Sequence, residues 1–128
     1  MNLLLDTHIV LAGMNGTLDQ RYPAHAKALH EHSGLSIVSS VTGWEIAIKT
    51  RLGKLSIPIF IELLPDYFKR AGYKILPVTL QHSITDLVPL PKTRDPFDRM
   101  LLSQCQVEGL KLLTADGKLV GHPLAAKV

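Results

Sequence analysis

The chain has 128 residues, of which 46% are hydrophobic and 20% charged, and this composition excludes an intrinsically disordered chain. The formal net charge of +3 only mildly favours a polyanionic partner, and the one cysteine, Cys105, excludes an internal disulfide and fits a reducing, cytoplasmic setting. No apolar run approaches the roughly 18 residues that span a bilayer. Asp6 interrupts the apolar N-terminus, so we expect neither a membrane segment nor a signal peptide. We expect residues 1–128 to form a single domain.

Strand and helix patterns alternate along the chain. In chain order, the predicted elements are strand Asn2–Leu5, helix Tyr22–His32, strand Leu35–Val38, helix Val41–Leu52, helix Ile59–Ala71 with a break or kink at Pro65, strand Lys74–Val78, short helix Leu80–Leu87, helix Pro96–Glu108, strand Lys111–Thr114 and a weak terminal strand Ala125–Val128. This alternation predicts an α/β fold with a mainly parallel sheet. In such sheets, functional sites form outside the carboxyl ends of the strands.

Two acidic residues follow predicted strands directly. Asp6 follows the first strand, and Asp116 follows the last one within Thr114-Ala115-Asp116-Gly117. Asp6 has an alternative interpretation as the cap of a following helix, and Asp116 as a turn residue before glycine. Thr114 either orients a neighbouring carboxylate or ends the strand. Both acids are candidates for a site at the sheet edge.

A third candidate, Glu45, lies on the predicted helix 41–52. An apolar arc on that helix comprises Val41, Trp44, Ile48 and Leu52, and we expect Trp44 to lie in the core. Glu45 falls at the edge of the arc. The alternatives are a solvated ion pair with Lys49, four residues on, and a partly buried carboxylate that needs a cation.

The fourth candidate, Asp98, shares one helix face with Leu101, Leu102 and Cys105. Its alternative role is that of a first-turn acid favoured by the helix dipole. Asp95 is better suited to a purely structural role, because it stands at the helix cap before Pro96. We therefore prefer Asp98 as the site residue and keep Asp95 as its competitor.

Several carboxylates at one sheet edge repel each other unless they are protonated or bind a cation. Hard oxygen ligands suit Mg²⁺ or Mn²⁺ rather than Zn²⁺, and such a site suits the hydrolysis of phosphodiesters. The sequence contains no Walker A loop, no GxGxxG and no GxSxG motif, which disfavours nucleotide-fold and serine-hydrolase functions.

Basic residues flank the acidic candidates. They are Lys49, Arg51 and Lys54 near Glu45, and Lys92, Arg94 and Arg99 near Asp98. They form either a solvated face or a rim that holds a nucleic-acid backbone, for which Lys49, Arg51, Arg94 and Arg99 are the candidates. We expect His25, His30 and His32 to lie on the surface of their helix.

Four segments resemble the motifs of PIN-domain ribonucleases. The first is Leu3-Leu4-Leu5-Asp6-Thr7-His8. The second is Ser39-Ser40-Val41-Thr42-Gly43-Trp44-Glu45-Ile46-Ala47-Ile48-Lys49, followed by Gly53-Lys54-Leu55. The third is Arg94-Asp95-Pro96-Phe97-Asp98-Arg99-Met100-Leu101-Leu102, and the fourth is Leu112-Leu113-Thr114-Ala115-Asp116. The order and the residue patterns of these four motifs are similar to those of VapC-type toxins of type II toxin–antitoxin pairs.

The resemblance implies a three-layer α/β/α sandwich and divalent-metal-dependent cleavage of RNA. It implies a homodimer, and a cognate antitoxin that blocks the active site. By position, the catalytic and metal-binding acids are Asp6, Glu45, Asp98 and Asp116, supported by Thr114, with Mg²⁺ or Mn²⁺ as cofactor. The alternative function is a PIN-like module that binds RNA or protein with little or no cleavage.

Overall fold

A four-stranded, all-parallel sheet forms the centre of the computed structural model, which describes residues 1–128. Its strands are β1 (Leu3–Leu5), β2 (Ser36–Ser39), β3 (Lys74–Leu76) and β4 (Lys111–Leu113), in the spatial order β3-β2-β1-β4. Leu4 of β1 is in register with Ile37 and with Leu112. The four predicted strands and their parallel arrangement are confirmed.

Seven helices connect and cover the strands. They are α1 (Thr7–Met14), α2 (Leu18–Arg21), α3 (Pro23–Glu31), α4 (Ser40–Arg51), α5 (Leu64–Arg70), α6 (Leu80–Ile84) and α7 (Pro96–Glu108). A 3-10 turn, Ile61–Leu63, precedes α5, and Pro65 lies in the first turn of α5. The helix predicted over residues 59–71 is therefore divided before Pro65, where proline is tolerated.

The helix ends follow the local sequence. The Ser39 hydroxyl accepts a hydrogen bond from the Val41 N–H and caps α4, while Asp95 accepts from the N–H groups of Phe97 and Asp98 and caps α7. Gly109 ends α7 with φ of +70°, a conformation that glycine adopts without strain. The predicted helix over residues 96–108 is confirmed with both of its ends.

Alternate residues of each strand face opposite sides of the sheet. Leu3 and Leu5 join one core, whose buried members are Leu3, Leu5, Ile9, Val10, Leu11, Met14, Val38, Ile46, Leu64, Phe68 and Leu113. Leu4 joins the other, with Leu4, Ile37, Val41, Leu101, Leu102, Cys105, Leu110, Leu112 and Leu119. Helices α1 and α5 thus cover one face and α7 the other, which gives the predicted three layers.

Two predictions, the apolar arc on α4 and the terminal strand, are wrong. Trp44 is not a core residue, because 61% of it is exposed, and Leu52 is exposed as well. The buried face of α4 instead carries Val41, Thr42, Glu45 and Ile46. Ala125 forms only an isolated parallel bridge to Leu112, not a terminal strand.

No helix in the structure combines the length and the apolar character needed to cross a bilayer.

Candidate active site

The carboxyl ends of β1 and β4, which are neighbours in the sheet, bring Asp6 and Thr114 together. Asp6 follows β1 directly and is 2% exposed, and Thr114 follows β4 and is 1% exposed. The Thr114 hydroxyl donates to Asp6 Oδ2 over 2.7 Å, while Asp6 Oδ1 accepts from the Thr7 N–H over 2.8 Å. Asp6 is therefore both the predicted helix cap and a buried carboxylate at the sheet edge.

Burial raises the pKa of Asp6 above its ordinary value, and the negative charge of Asp116 adds to the increase. The hydrogen bond from Thr114 and the nearby His8 act in the opposite direction. Because burial is the largest of these influences, the ionised form of Asp6 is disfavoured unless a cation approaches it.

Thr114 also fixes the start of the segment that carries Asp116. Its hydroxyl accepts from the Asp116 N–H over 3.1 Å, and Asp116 Oδ1 accepts from the Lys118 N–H over 2.7 Å. Asp116 therefore does stabilise a turn, as its alternative interpretation predicted, and the turn engages one of its two carboxylate oxygens. Thr114 thus contacts the carboxylate of Asp6 and the backbone N–H of Asp116.

Glu45 lies on α4, the helix that follows β2, and is 6% exposed. Its Oε1 accepts from the Thr7 hydroxyl over 2.7 Å, and its Oε2 is 2.6 Å from Lys49 Nζ. Thr42, fully buried, places its hydroxyl oxygen 3.3 Å from that of Thr7. The predicted pair with Lys49 forms, but Glu45 itself is buried rather than solvated.

Asp98 lies in the first turn of α7 and is half-buried. The Thr93 hydroxyl donates to Asp98 Oδ2 over 3.1 Å. The pKa of Asp98 is raised from 3.8 to about 6, chiefly by burial and then by the charge of Asp95, with smaller contributions from Asp6 and Asp116. Asp95 is exposed and its Oδ1 accepts the two capping bonds, so its carboxylate has a structural task.

Asp6, Glu45, Asp98 and Asp116 lie around one region of the sheet edge, but their carboxylates do not form a compact cluster. The charges of Asp6 and Asp116 both act on Asp98, and Lys49 experiences the charges of Glu45 and Asp98. No three His, Cys, Asp or Glu side chains converge closely enough to enclose a metal ion in this arrangement. The donor set is nevertheless made of hard oxygens, Asp6 and Glu45 are buried, and burial raises the pKa of Asp6 and of Asp98. These properties fit Mg²⁺ or Mn²⁺.

The predicted basic residues occupy different environments. Arg51 and Arg94 are exposed, whereas Arg99 is half-buried and its Nε donates to the Thr93 carbonyl over 2.8 Å. Lys49 is paired with Glu45. Arg51 and Arg94 therefore remain accessible to a polyanion, while Arg99 and Lys49 are partly engaged by the protein.

Four residues of the site were not singled out from the sequence: Thr7, Thr42, Thr93 and His25. The threonines bond to acids or to each other, and their positions next to apolar runs gave no signal that distinguishes them from ordinary core threonines. His25 was expected on the surface, but it is half-buried and its Nε2 lies 2.8 Å from the Thr114 carbonyl oxygen. A carbonyl only accepts, so Nε2 donates. His32 is also half-buried, whereas His30 is exposed as predicted.

The family profile described as PIN domain matches residues 3–121, a span that includes all four candidate acids. No curated protein matches the chain.

Proposed function

This chain belongs to the PIN domain family, and from that premise we propose that it is a divalent-metal-dependent endoribonuclease. PIN domains are in general metal-dependent nucleases. The observation that carries the proposal is the burial of two carboxylates, Asp6 and Glu45, at the edge of the sheet where Asp98 and Asp116 also lie. Glu45 is paired with Lys49, but Asp6 forms no salt bridge. Burying an acid without a counter-charge is costly, which favours a cation-binding role over a structural one.

In this proposal Asp6, Glu45, Asp98 and Asp116 hold Mg²⁺ or Mn²⁺. When bound, the cation supplies water activation and stabilises the charge that develops on the leaving oxygen of a phosphodiester. The residues of the chain orient the ligands: Thr114 donates to Asp6, Thr7 donates to Glu45 and Thr93 donates to Asp98. Asp98 and Asp116 each accept a hydrogen bond on one carboxylate oxygen, whereas Asp6 and Glu45 accept on both. Such bonds orient carboxylates that bind a metal.

Basic residues would hold the RNA backbone beside the acids. We assign this role first to the exposed Arg51 and Arg94. Arg99 and Lys49 lie closer to the acids and are partly engaged, so they would contact a phosphate near the cleaved bond. These contacts are charge-based and give affinity rather than base specificity.

We further propose that the chain is the toxin of a type II toxin–antitoxin pair and acts in the cytoplasm. The order and the residue patterns of the four sequence motifs support this, since both resemble those of VapC-type toxins over most of the chain. A homodimer and an antitoxin that blocks the site follow from the same resemblance. Exposed apolar side chains on α4 and α6, namely Trp44, Leu80 and Ile84, are of the kind that protein partners cover.

The nuclease proposal is tested with purified protein and a structured RNA. Cleavage should require Mg²⁺ or Mn²⁺ and should be lost in Asp6→Asn and in Asp98→Asn. Asp66→Asn is the matched control, because Asp66 is exposed on α5 and pairs only with Arg70. Asp95→Asn separates the competing acids: asparagine still caps α7, so this variant should cleave normally. Full cleavage by Asp6→Asn and Asp98→Asn would contradict the assignment.

The toxin role has its own test. Expression of the chain in bacteria should arrest growth, and Asp6→Asn should relieve the arrest. If the purified chain cleaves RNA but its expression leaves growth unaffected, the nuclease proposal stands and the toxin proposal is contradicted.

A second candidate is a PIN-like module that binds RNA or protein with little cleavage. It is favoured by the engagement of Asp116 Oδ1 in a turn and by the incomplete convergence of the acids. Calorimetric titration with Mn²⁺ separates the two. A nuclease should bind Mn²⁺ and lose this binding in Asp98→Asn, whereas a binding module should show no such loss.

A further inference from the structure

The ion pair between Lys49 and Glu45 lies inside the proposed cation site. Lys49 Nζ is 2.6 Å from Glu45 Oε2, and the exposed side-chain fractions are 35% for Lys49 and 8% for Glu45. Glu45 Oε1 already accepts from the Thr7 hydroxyl. Both oxygens of Glu45 therefore have partners, and the partner of Oε2 is itself a cation.

Lys49 also faces the acids of α7. Its pKa is raised, chiefly by the hydrogen bond to Glu45, and the charges of Asp95 and Asp98 add to this increase. Arg99, the other cation near Asp98, is tied to the Thr93 carbonyl. The ammonium of Lys49 is thus the positive charge that the protein itself places between the acids of α4 and α7.

A divalent cation that binds Glu45 must compete with this ammonium. The two positive charges repel each other strongly at the short distances imposed by a shared carboxylate, and Oε2 cannot serve both fully. Lys49 can leave, because its stem is flexible and about a third of its side chain is exposed. Glu45 cannot follow it, because Thr7 and the buried face of α4 hold it in place.

We propose that Lys49 is a displaceable internal cation: its ammonium neutralises Glu45 in the metal-free protein and leaves Glu45 when a divalent cation binds. The proposal rests on the proposed metal site.

The test is a calorimetric titration of the full chain with Mn²⁺. Lys49→Met keeps the length of the stem and removes the competitor, so its Mn²⁺ affinity should rise about fivefold or more relative to the wild type. Arg51→Met is the matched control, because it removes the same charge from an exposed position on the same helix; its affinity should change by less than about twofold. Lys49→Arg retains a competing cation and should bind like the wild type.

A second measurement follows Lys49 directly and needs no variant. The rate at which a small acylating reagent modifies Lys49, read by mass spectrometry, should increase when Mg²⁺ is added, while the rate at exposed Lys54 stays constant. An unchanged rate at Lys49, or a Lys49→Met variant that binds Mn²⁺ no better than Arg51→Met, overturns the proposal. If the folded wild type binds no Mn²⁺ at all, the proposed metal site fails and this inference fails with it. Binding by the wild type without a gain in Lys49→Met contradicts the inference alone.

Discussion

Thr114 links two acids that lie far apart in the sequence. Its hydroxyl donates to Asp6 Oδ2 over 2.7 Å and accepts from the Asp116 N–H over 3.1 Å. Thr93 has the same relation to Asp98, to which it donates over 3.1 Å. Both threonines are 1% exposed, so neither hydroxyl can be replaced by water without rearrangement. These hydroxyls, rather than additional charges, set the orientation of the carboxylates.

Replacing either hydroxyl by a methyl group should weaken metal binding. We expect Thr114→Val and Thr93→Val each to lower Mn²⁺ affinity or RNA cleavage by roughly 10- to 100-fold, the range for residues that orient metal ligands. Thr85→Val is the control, because the Thr85 hydroxyl only donates to the Gln81 carbonyl at the end of α6. Equal affinities in Thr114→Val and Thr85→Val would show that the hydroxyl does not position Asp6.

Asp98 should make the stability of the metal-free protein depend on pH. Its pKa is raised from 3.8 to about 6 in the folded state, so the folded state binds the proton more tightly than the unfolded state. This contribution is fully present below about pH 4 and is lost as the pH rises toward about 6. Asp98→Asn, which can still accept from Thr93, lacks the titration.

The difference in Tm between Asp98→Asn and the wild type should therefore grow from pH 4 to pH 7 in the presence of a chelator, with the variant the more stable at pH 7. Thermal unfolding followed by circular dichroism at several pH values measures it. A difference in Tm that is constant across this range would contradict the shifted pKa.

The sequence could indicate where the candidate acids lie more readily than how their side chains are held. Strand ends and helix faces predicted Asp6, Glu45, Asp98 and Asp116 because such positions depend on local periodicity. The apolar arc on α4 was wrong, since Trp44 packs edge-on against Phe97 with ring centroids 5.6 Å apart and remains largely exposed. That contact joins α4 to α7, and the hydrophobic periodicity of neither helix predicts it. The threonine bonds depend on tertiary contacts in the same way.

The helices differ in how clearly the sequence shows them. Helices α4 and α7 have recognisable caps and were predicted to within a residue or two at each end. For helix α1 the sequence offered only the possible cap Asp6. Its Thr7, Ile9, Val10, Leu11, Ala12 and Met14 are all buried, so there is no broad polar face for the pattern to reveal. Helix α2 has four residues, too few for any periodicity to appear.

Helix α6 is attached to α7 through a buried histidine. His82 is 1% exposed; its Nδ1 accepts from the Thr79 N–H over 3.0 Å, and its Nε2 lies 2.8 Å from Glu108 Oε2. Because Nδ1 accepts, Nε2 carries the proton and donates to Glu108. The imidazole thus closes the capping box of α6 and ties this short helix to the end of α7.

His82→Ala should lower the free energy of unfolding by about 3 kcal/mol, from the lost hydrogen bonds and the cavity that remains. His30→Ala, at an exposed position on α3, should change it by less than about 0.5 kcal/mol. Glu108→Gln keeps an acceptor for Nε2 and should cost less than His82→Ala. Urea denaturation measures all three, and similar values for His82→Ala and His30→Ala would refute a structural role for the imidazole.

Helix α3 reaches the site through one side chain. His25 Nε2 donates to the Thr114 carbonyl over 2.8 Å, and Tyr22 packs edge-on against the His25 ring with centroids 5.9 Å apart. This contact holds the Thr114–Ala115 peptide, which leads into Asp116. Helix α3 otherwise buries only Ala26, so His25 is its main attachment near the acids.

His25→Ala should therefore weaken Mn²⁺ binding by roughly tenfold, because the peptide that presents Asp116 loses its donor. His25→Gln retains an N–H donor and should recover part of the affinity. Calorimetry gives the affinities, and circular dichroism verifies that both variants fold. No recovery by glutamine, with equal loss in both variants, would point to packing rather than to the hydrogen bond.

The order of the strands in the sheet concentrates negative charge within a positively charged molecule. With β1 and β4 as neighbours and β2 on the other side of β1, the acids that follow these strands meet at one edge, although the chain as a whole carries a formal net charge of +3. Burial, and to a lesser extent the charges of neighbouring acids, raises the pKa of Asp6 and Asp98, so keeping these carboxylates ionised costs stability at neutral pH. A cation that binds only the folded state should relieve that cost.

Divalent cations should consequently stabilise the whole molecule. At a free Mn²⁺ concentration of about 100 times Kd, linkage adds about 2.7 kcal/mol to the free energy of unfolding, which corresponds to an increase in Tm of roughly 10 °C for a chain of this size. Asp6→Asn should lose most of the increase, whereas Asp66→Asn, with its exposed carboxylate on α5, should retain it. Thermal unfolding with added Mn²⁺ and with a chelator measures the shift. An equal increase in Tm for wild type and Asp6→Asn would place the stabilising cation elsewhere on the molecule.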